Sequence, residues 1–490
     1  MSEVIEIRSA LKLIPLLAAQ QATFIPDLRS IYTPLKHEGA LDPEREIVVG
    51  DRGVGKSFWS AVLTNSTART AIGNIYKKIG LSNTDVTLGF SENAARSEYP
   101  SPRTMSQLLG SLKPEAIWHA VIINSFLANY RPKGWKSWSW AKRTKWVENH
   151  PEDSERLVTK FNSNLRTRRR RHMIVFDALD RFGTDWQTIR TLARALLLVT
   201  LEMRSYSNIH LKLFVRPDMY EDREIWSIRD GSKLRQNHVS LSWDYNDLYG
   251  FLWHWLGTFN DASGRRAFAK IVRDTSGIKL PRLRDESLFV LNERLVEDAD
   301  IQSRIFSRIA GEYMGATKKR GFTYTWIPNH LSDAKKRVSL RSFMIALREA
   351  AKATPMNAAT PVVAEQIKAG VRAASLNRIE QLTEDYPWIK DVLPPLEGLQ
   401  TPNTGEAFID RWLADKTIQK LFQEAASSAD YLMPVQLEGV KPADSTVYEK
   451  LISSLMDINV LERRNDGRLN MPDLFQVAAG LLRKGGVRPA

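Results

Sequence analysis

The chain has 490 residues, 43% hydrophobic and 26% charged, a composition suited to roughly two to four globular domains. It has no cysteine, which excludes a disulfide framework, thiol catalysis and any cysteine-ligated metal site. A net charge of +14 fits either a plain basic surface or a footprint for nucleic acid or another polyanion.

The first residues, MSEVIEIRSALKLIPLLAAQQ, read as an amphipathic helix. Glu3 and Glu6 stand where a secretory signal would carry cations. The apolar run at Leu192 to Leu201 is interrupted by Arg194 and is too short for a membrane span. Both features point to a cytoplasmic chain with no membrane partner.

Ile47, Val48 and Val49 form a short β-branched run, the pattern of a buried strand. Gly50-Asp51-Arg52-Gly53-Val54-Gly55-Lys56-Ser57 follows, then helix-compatible residues from Phe58 to Leu63. G-x-x-x-x-G-K-[ST] between a strand and a helix is the phosphate-binding loop, or P-loop. Glycines let the backbone turn so that successive N–H groups face phosphate oxygens, and the positive helix end adds to that field. In such a loop Lys56 reaches the β- and γ-phosphates and the Ser57 hydroxyl ligates magnesium. The expected ligand is ATP or GTP with Mg2+.

Val86 to Phe90 reads as a second strand. An insert at about residues 100–165 follows, with an unusual basic and aromatic stretch at 129–150. Trp135, Lys136, Trp138, Trp140, Lys142 and Arg143 interleave there, and no acid occurs between Glu115 and Glu148. A second basic group, including Arg168, Arg169 and Arg170, precedes the next strand. One reading is single-stranded nucleic acid, held by phosphate contact and base stacking. The other is packed tryptophans with solvated lysines around them.

His172 to Phe176 is an apolar run ending at Asp177, the expected magnesium-side carboxylate. Asp180, three residues on, can orient or deprotonate the attacking water. A helical pattern spans Trp186 to Arg204. Strands are expected at Leu211 to Val215, ending at Arg216, and at His238 to Trp243; Asp244 is placed to cap the next helix. Strands alternating with helices predict a parallel α/β sheet with the phosphate site at the carboxyl ends of its strands.

The pair GDRGVGKS and FDALDR resembles the P-loop ATPases of the STAND and KAP groups, relatives of AAA+ proteins. The resemblance implies ATP as the nucleotide and three arginine roles. Arg216 matches the sensor at the end of a core strand, and Arg341 a second sensor at the start of a lid helix, with Arg337 beside it as an alternative. Arg229 and Arg235 are candidates for the finger that reaches a neighbouring copy's nucleotide; both can equally be surface arginines. AAA+ proteins more often carry a glutamate where Asp180 stands, so the catalytic base is open. The family also implies a homo-oligomer, and in bacterial anti-phage defence a separate effector protein. A DNA-binding loader and a nucleotide-binding scaffold with negligible hydrolysis are the alternatives.

The expected architecture is α/β: a parallel-sheet P-loop ATPase core over 1–260, a helical lid over 261–352, a helical linker region over 353–430 and a winged-helix-like domain over 431–490. Pro355 to Pro361 reads as a linker or hinge. Thr446-x-x-Glu449 reads as a capping box and Asp466-Gly467 as a hairpin turn. Arg463, Arg464 and Arg468 lie on that wing, either to grip phosphate or on a module that packs internally.

Overall fold

The computed structural model describes residues 2–15, 26–93, 97–183, 185–428 and 431–482. The N-terminal helix runs Ser2–Lys12; its expected continuation past residue 15 lies outside the described residues. Among the described residues no helix is long and apolar enough to cross a membrane.

The core is a five-stranded, all-parallel sheet of β1 (Ile47–Val49), β2 (Thr84–Phe90), β3 (Arg171–Phe176), β4 (Ile209–Val215) and β5 (Val239–Ser240), in the order β2-β3-β4-β1-β5. β1, β3 and β4 are nearly continuous apolar runs because helices cover both faces. The strand expected over His238 to Trp243 pairs only at Val239 and Ser240. Leu241 N–H still reaches the Val49 carbonyl at 2.7 Å. The chain then leaves the edge, because the Trp243 indole turns inward to donate to the Val54 carbonyl at 2.8 Å.

The insert builds a small aromatic nucleus. Trp135 is 1% exposed and its indole donates to Asn124 at 3.1 Å. Arg143 is 8% exposed, donates to the carbonyls of Trp135 and Lys136, and lies 4.6 Å from the Trp140 ring centre. Lys142 sits over Trp138. Trp135 and Arg143 therefore face the protein interior, contrary to a role on an open stacking surface.

Beyond the sheet, helices Ala262–Ser276, Ala299–Ala310, Thr323–Leu331 and Leu340–Ala353 form the region expected as a lid. Helix Ala364–Asp385 packs along Leu340–Ala353. Gly370 makes the approach close enough that a Cβ there would lie 2.1 Å from the Ala346 carbonyl oxygen. The segment expected as a hinge is held fast. Arg8 reaches it from the N-terminal helix and donates to the carbonyls of Pro355, Met356, Ala358, Thr360 and Pro361.

Near the C-terminus, helix Val447–Asp457 leads into a hairpin of β6 (Glu462–Arg463) and β7 (Leu469–Asn470) around Gly467, whose φ is +81°. Leu469 also pairs with Asn403, so the hairpin is joined by a segment from before residue 430. The Thr446 capping box does not form: its hydroxyl donates to Asp444 at 2.6 Å and caps no helical N–H. On the wing, Arg463 pairs with Glu449 at 3.2 Å and Arg468 with Asp466 at 2.7 Å.

Arg8 is a buried charge satisfied by carbonyl oxygens. Arg8→Ala removes those donors together and should destabilise the protein by about 3 kcal/mol or more, given what buried acceptors lose when a charged donor is deleted. Urea denaturation checks this; a loss no larger than that of a surface arginine would contradict it.

Candidate nucleotide-binding site

The carboxyl ends of the sheet gather the chemistry. β1 runs into Gly50, β3 into Asp177 and β4 into Arg216. β3 and β4 are neighbours, as are β4 and β1, so the three strand ends lie side by side. Asp177 N–H donates to the Phe90 carbonyl at 3.0 Å, which ties the end of β2 to the same rim.

The loop from Gly50 to Gly55 wraps the start of helix Lys56–Thr64. Gly53 and Gly55 adopt φ of +82° and +105°, the left-handed region that glycine enters without penalty. A Cβ on Gly53 would also meet the Ser339 hydroxyl at 2.7 Å, so the loop lies against the start of helix Leu340–Ala353. Val54 is buried beneath the loop. Asp51 pairs with Arg337 at 3.0 Å, and Phe58 packs edge-on against Trp59.

Lys56 Nζ donates to the carbonyls of Gly50 at 2.7 Å and Asp51 at 3.0 Å. Burial pushes its ammonium below the usual lysine range, while Asp177 and Asp180 oppose that shift. Asp177 is fully enclosed; burial raises its carboxyl, and a hydrogen bond with Ser57 and the charge of Lys56 counter the rise. A hydroxyl and a carboxylate in mutual contact at a loop glycine turn form a hard-oxygen donor set, the kind that fits magnesium beside phosphates. Ser57 and Asp177 are the residues that would hold it.

Asp180 behaves differently. Burial would raise it, but Arg216 and Lys56 outweigh burial and hold it below the usual carboxylate range. Arg216 is 11% exposed and pairs with Asp180 at 3.0 Å and Asp218 at 3.1 Å, with Asp385 at 3.7 Å. Its guanidinium lies 4.6 Å from the ring centre of Tyr386. Arg52 pairs with Asp385 at 2.6 Å and with Glu384.

Lys56, Ser57, Asp177, Asp180, Arg216 and Asp385 line one cleft of about 590 Å³, within the usual size of a small-molecule site. Arg52, Gly53, Gly55, Lys56, Ser57, Phe58, Asp177, Asp180, Arg216 and Arg341 reach it from the sequence-expected set. The P-loop is part of its polar lining. Aromatic side chains also line it, Tyr32, Trp243, Phe251 and His254, with Trp243 hydrogen-bonded to Val54 of the loop. These were not legible in the sequence, because they come from segments over 200 residues apart with no shared spacing. Glu92 was also missed. It follows β2 by two residues, is 50% exposed, lines the cleft beside Asp177 and pairs with Arg181 at 2.9 Å. A carboxylate just past an expected strand end was the available signal.

Other expected residues lie elsewhere. Arg235 stacks over Tyr220 and Trp226 and pairs with Glu221 at 3.5 Å. Arg229 is exposed and has no ion-pair partner among the described residues. Arg168 and Arg169 are exposed near the amino ends of the strands, where Arg170 pairs with Asp85.

No family model matches this chain, and no curated protein does. Among solved structures it is similar to the Walker-type ATPase PABY2304 of Pyrococcus abyssi, with 11% identity and a TM-score of 0.41 over 93% of this chain and 98% of that one. It is also similar to the ORC2 protein of Aeropyrum pernix in ADPNP and ADP complexes, with 10% identity and a TM-score of 0.39 over 94% of this chain and 96% of that one. At such identities neither activity nor ligand transfers from those proteins to this one.

Proposed function

We propose that this chain is a magnesium-dependent ATPase that works as a nucleotide-controlled switch. The observation that carries the reading is the convergence of Lys56, Ser57 and Asp177 in one cleft that aromatic side chains also line. The loop's N–H groups take the phosphates, and Lys56 exchanges its own loop carbonyls for phosphate oxygens. Magnesium, when bound, neutralises charge developing between the β- and γ-phosphates. Tyr32, Trp243 and Phe251, packed on one another, give the cleft an apolar wall for a nucleobase. ATP over GTP rests on the resemblance to STAND and KAP ATPases, as does extension of the reading to a homo-oligomer working with a separate effector in anti-phage defence. An exposed Arg229, with no ion-pair partner among the described residues, supports a finger that acts on a neighbouring copy; Arg235, committed to its own aromatic shelf, does not.

Hydrolysis needs a proton acceptor for the attacking water. As water oxygen bonds to the γ-phosphorus, the bond to the β-phosphate oxygen breaks and the water proton must leave. Asp180 is held on Arg216 as a depressed, poorly basic carboxylate. Glu92, half-exposed in the same cleft, paired with Arg181 and outside the Arg216 network, is assigned the acceptor role, and Asp180 is the anchor of Arg216.

Lys56→Ala and Asp177→Ala should each abolish phosphate release from ATP in a steady-state assay; wild type turning over no faster than these variants sinks the ATPase reading. Glu92→Gln should lower kcat by about 100-fold or more, the usual contribution of a general base, with KM nearly unchanged. Asp180→Asn should act mainly on KM. The reverse pattern returns the base role to Asp180.

A second reading, nucleic-acid contact, is favoured by a cluster remote from the cleft. Lys77, Lys78, Arg168 and Arg169 are exposed and without ion-pair partners among the described residues. They adjoin the amino ends of β2 and β3, where Arg170 and Arg171 donate to the carbonyls of Ser82 and Ile79. The exposed Lys136 and Lys142 of the insert extend the basic side. Contact there would be to phosphate, without base stacking. Reversing all four cations to glutamate should abolish binding of a labelled DNA oligonucleotide measured by anisotropy, and wild-type affinity should fall steeply with salt. Unchanged binding in the variant would rule this surface out.

A further inference from the structure

Helix Ala364–Asp385 delivers its last turn into the nucleotide cleft. The Asp385 carboxylate accepts from Arg52 at 2.6 Å and lies 3.7 Å from Arg216. Glu384 pairs with the other terminal nitrogen of Arg52, and the Gln381 carbonyl accepts from Arg52 at 3.0 Å. Arg378, one turn earlier, donates to the Arg52 carbonyl at 3.2 Å. The turn thus grips a P-loop residue by side chain and backbone, and it shares the cleft wall with Lys56 and Ser57.

Arg52 and Arg216 are cations at the end of the site where a terminal phosphate has to lie. A carboxylate and a phosphoryl group are the same kind of partner for guanidinium, each offering anionic oxygens to a fixed fork of donors. Two such anions cannot share these two arginines in a poorly hydrated cleft, because like charges there repel with little screening. Asp180 and Asp218 already take part of Arg216, so Asp385 is the exchangeable partner, held at the longest distance of the three.

We propose that Asp385 is a positioning residue that stands on Arg52 and Arg216 in the place of the nucleotide's terminal phosphate, so that a triphosphate, and not a diphosphate, displaces the end of helix Ala364–Asp385. The proposal rests on the nucleotide-binding reading above and adds to it how the two nucleotides are told apart.

The helix has the connections to carry that displacement onward. Its Gly370 lies against the backbone of helix Leu340–Ala353. Its Ser375 hydroxyl donates to the Leu474 carbonyl and accepts from the Ala478 N–H at 3.1 Å. Helix Asp473–Gln476 directly follows β7. A shift at Asp385 is therefore felt first at the lid and then at the C-terminal hairpin module.

The test uses the full-length protein, fluorescent ADP and a fluorescent non-hydrolysable ATP analogue. Asp385→Asn should tighten the triphosphate analogue about tenfold, within the range of ordinary coupling between a ligand and a conformational equilibrium, and leave ADP nearly unchanged. Asp385→Glu should keep the wild-type ratio. Hydrogen exchange should rise over 378–386 and 473–478 with the triphosphate analogue and not with ADP. Equal shifts for both nucleotides, or none in Asp385→Asn, overturn the proposal and leave the nucleotide-binding reading standing. Wild type that binds neither nucleotide overturns both.

Discussion

The guanidinium of Arg216 sets the terms for the rest of the site. β4 ends by carrying a permanent cation into a nearly closed space. A buried charge is tolerated only with partners, and removing one partner of such a pair typically costs about 3–5 kcal/mol. The partners come from three places: Asp180 after β3, Asp218 in the short helix Pro217–Glu221 after β4, and Asp385 at the end of a helix far along the chain. Tyr386 closes the remaining face. One strand-end arginine thereby ties the sheet rim to helix Ala364–Asp385.

The same cation separates two carboxylates that the sequence leaves looking alike. Asp177 and Asp180 are three residues apart and both enclosed. Asp177 contacts Ser57, and burial wins, so its carboxyl is raised. Asp180 contacts Arg216, and the pairing wins, so its carboxyl is lowered. The linkage signs are opposite. Asp180 contributes stability above the unfolded carboxylate pKa that is lost as pH falls. Asp177 is a strain on the fold at neutral pH, relieved by protonation or by a cation placed beside it. Environments that push paired acids apart in this way set their charge states differently: burial dominates at Asp177, and the Arg216 ion pair at Asp180.

What the sequence made legible was local. The P-loop and the strand ending at Asp177 are short segments whose spacing alone implies their geometry. The order of the strands follows the same βα alternation, and only β5 is shorter than its apolar pattern, because Trp243 is drawn to Val54. The failures are all long-range or degenerate. Thr446 and Glu449 have capping-box spacing, but Asp444 takes the threonine hydroxyl first. Tryptophans interleaved with cations are the same pattern whether the cations sit on the protein's own rings or phosphates lie beside them; here Lys142 and Arg143 sit on Trp138 and Trp140. The aromatic lining of the cleft and Asp385 come from segments that no periodicity connects.

Pro355 to Pro361 looked like a hinge because its residues are small and interrupted by proline. Its freedom is removed by a residue 347 positions earlier, since Arg8 satisfies its carbonyls one after another. That matters for the helix that begins three residues later. Helix Ala364–Asp385 is fixed near its start through Arg8, along its length by Gly370 and Ser375, and at its end by Arg52 and Arg216. The first three attachments are uncharged contacts or carbonyl hydrogen bonds that no nucleotide phosphate can replace. The last is a set of ion pairs beside the P-loop, the one attachment whose partners an anion could replace. Exchange of that last attachment leaves the other three in place, so the displacement proposed above would be greatest at the Asp385 end of the helix.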